Sequence, residues 1–242
     1  MNRISQRCLV VIVIGVLCAG TVLAQTGGNR IRSFQVRAGG SFLEGGGDLW
    51  VENEDVFTMN VSDFDAATVG VSFVSAINNN IEMGINADYY DVDVFSAYRG
   101  WVDEFGFPIY HDTTLASLPL TVDLRLLPFG RYRNQGRRPV MQPVVYVGGG
   151  IGVNFWEYEE VGDFLDFTTQ VPEVFFDRFV DDGAAFEYHV VAGAEFPVSS
   201  SVNFLLEGRY LWSDGDLDGD FAGLGNIVFD GFSVTVGASF RY

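Results

Sequence analysis

Apolar and polar residues alternate along most of the chain, in eight separate runs. In 81–89, Ile81, Met83, Ile85, Ala87 and Tyr89 share one side, and Glu82, Gly84, Asn86 and Asp88 share the other. In 118–126, Leu118, Leu120, Val122, Leu124 and Leu126 oppose Pro119, Thr121, Asp123 and Arg125. In 232–242, Phe232, Val234, Val236, Ala238, Phe240 and Tyr242 oppose Ser233, Thr235, Gly237, Ser239 and Arg241. Similar runs lie near 33–43, 66–76, 143–156, 184–196 and 202–212. A period of two predicts β-strands. Each run has about the nine to eleven residues that a tilted strand needs to cross a bilayer. No apolar stretch in 25–242 approaches the roughly twenty residues of a membrane helix.

The class depends on which face is buried. A soluble sandwich turns its apolar face inward; a membrane barrel turns it to lipid and lines the interior with polar groups. The polar faces here are rich in Gly, Ser and Asn, with isolated charges of both signs. Gly148, Gly150 and Gly152 share one face, as crowding inside a narrow barrel favours. The apolar faces end in Tyr89, Phe155, Phe186, Tyr210, Phe232 and Tyr242, as an interfacial girdle requires. The connections alternate in length: long at 44–66, tight at 77–80, long at 91–114, intermediate at 128–139, long at 157–182, tight at 197–201 and longer at 213–226. These features predict an all-β fold, an eight-stranded antiparallel up-and-down transmembrane β-barrel, with both termini at the short-turn end. A soluble exported sandwich is the alternative.

The first 24 residues read as an export signal: Arg3 and Arg7, then the apolar stretch 9–17, then Val22-Leu23-Ala24 before Gln25. The expected division is a signal peptide over 1–24 and an outer-membrane barrel domain over 25–242. Both Cys residues fall within the signal, so the mature chain has no disulfide.

Composition sharpens the picture. Apolar residues make up 48% and aromatics 15% of the 242 residues, too many for disorder. The net charge is −18, and all fourteen cations are Arg, so a nucleic-acid binder with a general basic field is excluded. The four long connections hold 25 of the 32 acids, whereas the 128–139 turn carries Arg131, Arg133, Arg137 and Arg138 and no acid.

The segment 142–160, QPVVYVGGGIGVNFWEYEE, resembles the strand-and-loop signature of small outer-membrane β-barrel proteins of the opacity-protein and outer membrane protein W type. So does 186–212, FEYHVVAGAEFPVSSSVNFLLEGRYLW. The closing FSVTVGASFRY resembles the signal by which such barrels are recognised for assembly. The resemblance covers most of the mature chain and marks an architecture more than an activity. The larger second-half loops and the acid load are departures, so no relative's ligand is carried over. What it implies is residence in the outer membrane, with membrane lipid, lipopolysaccharide and the outer-membrane assembly machinery as partners.

By alternation, Arg37, Glu82, Asp88, Asp123, Arg125, Glu187, His189, Glu195, Glu207, Arg209 and Arg241 point inward. Four Arg against six carboxylates can pair into a network that plugs the lumen. Eight strands leave an interior just wide enough for side chains. The preferred function is a structural or envelope-interaction role with a plugged lumen; a small-solute channel of the outer membrane protein W type is the alternative, and a lipid-modifying enzyme ranks below both. His189 with Glu187 on the same face could be half of a catalytic pair, but no Ser stands beside it on that strand. His111 falls in a loop. No cofactor is expected beyond calcium, for which Asp214, Asp216, Asp218 and Asp220 have the spacing of the start of a calcium loop, although Gly225 stands where its bidentate Glu would be. The loop aromatics, Trp50, Phe57, Phe64, Trp101, Phe105, Phe107 and Phe164 among them, are expected to pack as a cap above the membrane, with a contact surface for an extracellular partner as the alternative.

Overall fold

The computed structural model describes residues 32–135, 138–168 and 172–242. The segment 1–24, read as an export signal, lies outside them, as does Arg137. Among the described residues there are eleven elements longer than a single short turn of helix: β1 (Arg32–Leu43), α1 (Asp48–Val56), β2 (Ala66–Ala76), β3 (Ile81–Val102), β4 (Pro108–Leu126), β5 (Tyr132–Gln135), β6 (Arg138–Met141), β7 (Val144–Asp166), β8 (Glu173–Pro197), β9 (Val202–Asp216) and β11 (Gly231–Arg241), with the short β10 (Asn226–Val228) before the last. Eight strands form a closed antiparallel ring in the order β1-β2-β3-β4-β7-β8-β9-β11 and back to β1. Closure pairs Phe34 with Phe240 and Phe42 with Phe232. β10 extends the pairing of β9, and β5 and β6 form a separate hairpin. Both ends of the ring strands, Arg32 and Arg241, lie on the side of the tight turns 77–80 and 198–201.

Around the ring the exterior is an apolar belt. Val36, Val69, Ile85, Val122, Leu124, Val147, Ile151, Val190, Leu206 and Val236 are exposed there. Aromatics bound it on both sides. Phe42, Phe232 and Tyr210 are cross-strand neighbours at one edge. Phe34, Phe240 and Phe73 are neighbours at the other. Phe34 and Phe42 lie eight residues apart on β1, roughly 26 Å along the strand and about 20 Å along the normal at the usual tilt.

Above the belt the alternation continues but its sense reverses. Within it Asp88, Asp123 and Glu187 point inward; beyond it Val94, Tyr98, Ile109, Leu115, Trp156, Tyr158 and Phe164 do. The exterior above the belt carries Asp91, Asp93, Asp112, Asp163 and Asp182 instead. The segments 91–114 and 157–182, expected as long loops, are therefore strand for most of their length: the first turn shrinks to 103–107, and in the second segment strand runs to Asp166 and resumes at Glu173. The reason is solvent: above the bilayer the exterior meets water, so the apolar residues move inside and the carboxylates outside.

α1 was not expected from the sequence. It closes the mouth of this extension, burying Leu49, Trp50 and Asn53 and leaving Glu52, Glu54 and Asp55 outward. Asp48 in its first turn suits the helix dipole. Trp50 donates its Nε1–H to the Val228 carbonyl at 2.9 Å. With Phe57, Met59 and Phe64 from the same connection, α1 completes one apolar core that fills the extension.

Candidate functional site

Below that core, the belt level of the barrel is filled by ions. Arg37 on β1 donates to both carboxylate oxygens of Asp88 on β3, at 2.7 and 2.8 Å, and also to Ser72 on β2. Arg209 on β9 meets the same Asp88 at 2.9 Å and Glu207 at 3.1 Å. Arg125 on β4 bonds Asp123 at 3.0 Å and lies 3.4 Å from Glu207. Its guanidinium sits 4.8 Å over the ring of Tyr146 on β7, whose hydroxyl donates to Glu207 at 2.7 Å.

A second tier closes the base. Arg131, from the turn after β4, turns into the lumen and is 2% exposed. It donates to Glu82 on β3 and Glu195 on β8, each at 2.8 Å. Arg241 on β11 donates to Asn203, whose amide in turn donates to Glu195. Gln35 ties the tiers together, accepting from Arg125 at 3.2 Å and donating to Glu195 at 3.1 Å. Every strand of the ring contributes a member.

The eleven residues read as inward all face the lumen, and nine of them join these bonded tiers. Arg131, assigned to a basic turn, is the charged member that sequence reasoning missed, and Gln35, Ser72, Tyr146 and Asn203 are neutral ones. The available signal was Pro128-Phe129-Gly130 immediately before it, a turn that folds the next residue back toward the base. Arg131 makes five guanidiniums, with Arg37, Arg125, Arg209 and Arg241, for the six carboxylates Glu82, Asp88, Asp123, Glu187, Glu195 and Glu207.

Glu187 and His189 stand apart from the tiers. Both are buried on β8, with His189 Nδ1 3.4 Å from Glu187 Oε1. Gly150 on β7 pairs with His189, and a Cβ there would lie 2.8 Å from the imidazole and 2.4 Å from the Val122 carbonyl. Glycine is what admits the ring. A cavity of about 50 Å³ lies alongside, lined by Glu187, Asp88, Asn154, Ser117 and Arg209 among others.

His111 corrects its placement in a loop. It is on β4, faces inward in the apolar extension and is 1% exposed. Its Nε2 is 3.0 Å from the Ser96 hydroxyl on β3, and Phe57, Tyr98 and Phe164 surround the ring. Burial pushes its pKa down to about 4. In the same core Glu160 accepts from Tyr158 at 2.5 Å, and burial raises its pKa to about 7. The Ser96–His111 pair has the atoms of a nucleophile and base, but a core of aromatic rings encloses it.

Asp214, Asp216, Asp218 and Asp220 do not converge. Asp214 and Asp216 lie on the exterior of β9 and its continuation, alternating with the inward Ser213, Gly215 and Leu217. Asp214 accepts from the Asn226 amide at 2.8 Å and Asp220 from the Val180 N–H at 3.0 Å. Asp214 and Asp216 are spaced as a strand face above the membrane, and Asp218 and Asp220 belong to the helical turn that follows, so the four carboxylates do not surround one point. Among the described residues no group of three His, Cys, Asp or Glu side chains could hold a metal ion.

A closed, even-stranded antiparallel ring with an apolar exterior belt, aromatic edges and an ionic interior has one physical setting. The chain is a small outer-membrane-type β-barrel. No family model matches it, and no curated protein sequence matches it. Solved structures similar to it include a major outer membrane protein from Thermus thermophilus, at 10% identity over 87% of this chain and 99% of that one, with a TM-score of 0.47. Neisserial surface protein A is similar at 10% identity over 89% and 100% of the two chains, with a TM-score of 0.44. The attachment invasion locus protein of Yersinia pestis is similar at 11% identity over 88% and 99%, with a TM-score of 0.41. Within the barrel, the features with chemistry are the two ionic tiers, the Glu187–His189 pair and the exterior of the extension.

Proposed function

We propose that this outer-membrane barrel does not conduct, and that its role is to hold an extended platform above the membrane for envelope interactions. The supporting observation is that the lumen is filled in series along its length. Arg131 with Glu82 and Glu195 closes the base, the Arg37–Asp88–Arg209 tier fills the belt, and the apolar core under α1 fills the extension. The same reading takes residues 1–24 as an export signal and β11, closing on Tyr242, as the segment addressed to the assembly machinery. The lowest carboxylates of the exterior, Asp91 and Asp93 just above the belt, are the ones that would meet divalent ions and the lipopolysaccharide of the barrel's own membrane.

The test is single-channel recording of the refolded mature chain in planar bilayers. A silent bilayer is the expected result. Discrete conductance steps would overturn this reading in favour of a small-solute channel.

A further inference from the structure

The extension carries aromatic side chains that its core does not use. At the tip of the β3–β4 hairpin Phe105 is 75% exposed and Phe107 65%. The tip is a built turn: Asp103 accepts the backbone N–H groups of Phe105 and Phe107 at 2.9 and 2.7 Å, and Gly106 supplies a φ of +85°. Trp101, just before that turn, packs edge-on against Phe167, which follows the last residue of β7, with ring centroids 5.4 Å apart, so Phe167 joins the same surface. Lower on the same hairpin, Phe95 and Tyr110 stack at 4.9 Å with an interplanar angle of 22° and remain exposed.

This surface is not part of the membrane girdle. Asp91 and Asp93 lie on the exterior between it and the belt. Val102 is thirteen residues beyond Tyr89, which puts the tip roughly 30 Å above the interface at usual strand rise and tilt. Exposed aromatic patches of this kind mark interaction sites, and rigidly held rings bind at a low cost in entropy.

Charge selects the occupant. Acids lie beside the rings in sequence and register: Glu104 adjoins Phe105, Asp112 pairs with Phe95, Glu173 pairs with Asp166 next to Phe167, and Asp163 pairs with the exposed Phe176; the two Arg residues of the region are engaged elsewhere, Arg99 with the Glu54 carbonyl and Arg178 with Glu159. A phosphate-rich lipid surface would be repelled, and so would a second copy of a chain with net charge −18. Aromatic faces interleaved with carboxylates suit guanidinium and ammonium groups, which rings attract through their quadrupole and acids through charge. We propose that the tip of the β3–β4 hairpin, with Phe167 packed beside it, is a docking surface for a cationic, amphipathic polypeptide segment. This rests on the platform reading above and adds its partner chemistry.

The test uses the full mature barrel in nanodiscs and three labelled synthetic peptides of equal length, read by fluorescence anisotropy at fixed ionic strength. One alternates Arg with Leu, one Glu with Leu, and one Ser with Leu. The Arg–Leu peptide should bind, and the other two should not. Phe105→Ala/Phe107→Ala, at exposed positions that leave the fold intact, should weaken binding at least about tenfold. Glu104→Gln/Asp112→Asn/Asp163→Asn should weaken it and flatten its salt dependence. Equal binding of all three peptides, or full binding by the Phe double variant, would overturn the proposal. So would a concentration-dependent dimer, or adhesion to lipopolysaccharide vesicles, that the Phe substitutions abolish. Conductance of the same barrels separates the two readings: peptide binding by a conducting barrel sinks only the sealed lumen, and a silent barrel that binds no peptide sinks only the docking surface.

Discussion

Arg209 shows what a single residue contributes inside this barrel. It reaches Asp88 and Glu207 from a nearly sealed position, and both carboxylates are themselves buried or nearly so. Replacing a whole buried ion pair can be neutral, but removing one partner strands a charge. Arg209→Ala should therefore cost about 3–5 kcal/mol, seen as an earlier urea midpoint and as lost heat-modifiability on a gel. An unchanged midpoint would mean that the tier is decorative. Two residues of the extension give opposite pH dependences. Glu160 titrates near 7 instead of the ordinary 4.5, so its contribution to stability is present below 4.5 and is lost as pH rises through 7. His111 titrates near 4 instead of 6.5, so its contribution is present above 6.5 and is lost as pH falls through 4. Glu160→Gln should raise the stability of the extension at pH 8 by up to about 3 kcal/mol and leave it little changed at pH 4. Tryptophan fluorescence during unfolding at the two pH values measures this, and equal shifts at both would refute the assignment.

At the scale of elements, one strand crosses two solvents. Val122 and Tyr110 both lie on the exterior of β4 and are similarly exposed, at 46% and 44%. Only Val122 lies in the belt. Val122→Arg should destabilise the barrel in lipid by about 2–4 kcal/mol, whereas Tyr110→Arg should stay within about 1 kcal/mol. Unfolding from bilayers distinguishes them, and equal costs would move the membrane boundary. The same contrast explains what the sequence disclosed. The eight membrane segments were legible because apolar residues at alternate positions mark a lipid-facing strand, and so were the inward residues Arg37 to Arg241. The extensions were not, because beyond Asp91 and Glu157 the apolar positions change face and the acids resemble loop composition. Asp214, Asp216, Asp218 and Asp220 looked like metal ligands because acids at every other position match the start of a calcium loop, whether they lie on a strand face or in a turn. α1 escaped because its nine residues carry only a short apolar face, and it is held by the core it completes. Arg131 escaped because alternation does not reach into a turn.

At the scale of the molecule, the seals act in series, so no single lesion should open the barrel. Arg131→Ala alone should remain silent in bilayer recordings, and so should replacement of 44–65 by a short linker, which removes α1 and its neighbours from the core. Combining Arg125→Ala and Arg131→Ala with that replacement should produce current; silence in the combination would show that the remaining side chains suffice. The height of the walls has a further consequence. β7 and β8 meet in a hairpin whose upper part bears nine carboxylates between Glu157 and Asp182, and all of it ends on the far side of the bilayer. Ionised acids do not pass through hydrocarbon unaided. Translocating that hairpin, more than pairing the strands, should set the pace at which the protein reaches its mature form in pure lipid, and thinner or defect-rich bilayers should hasten it.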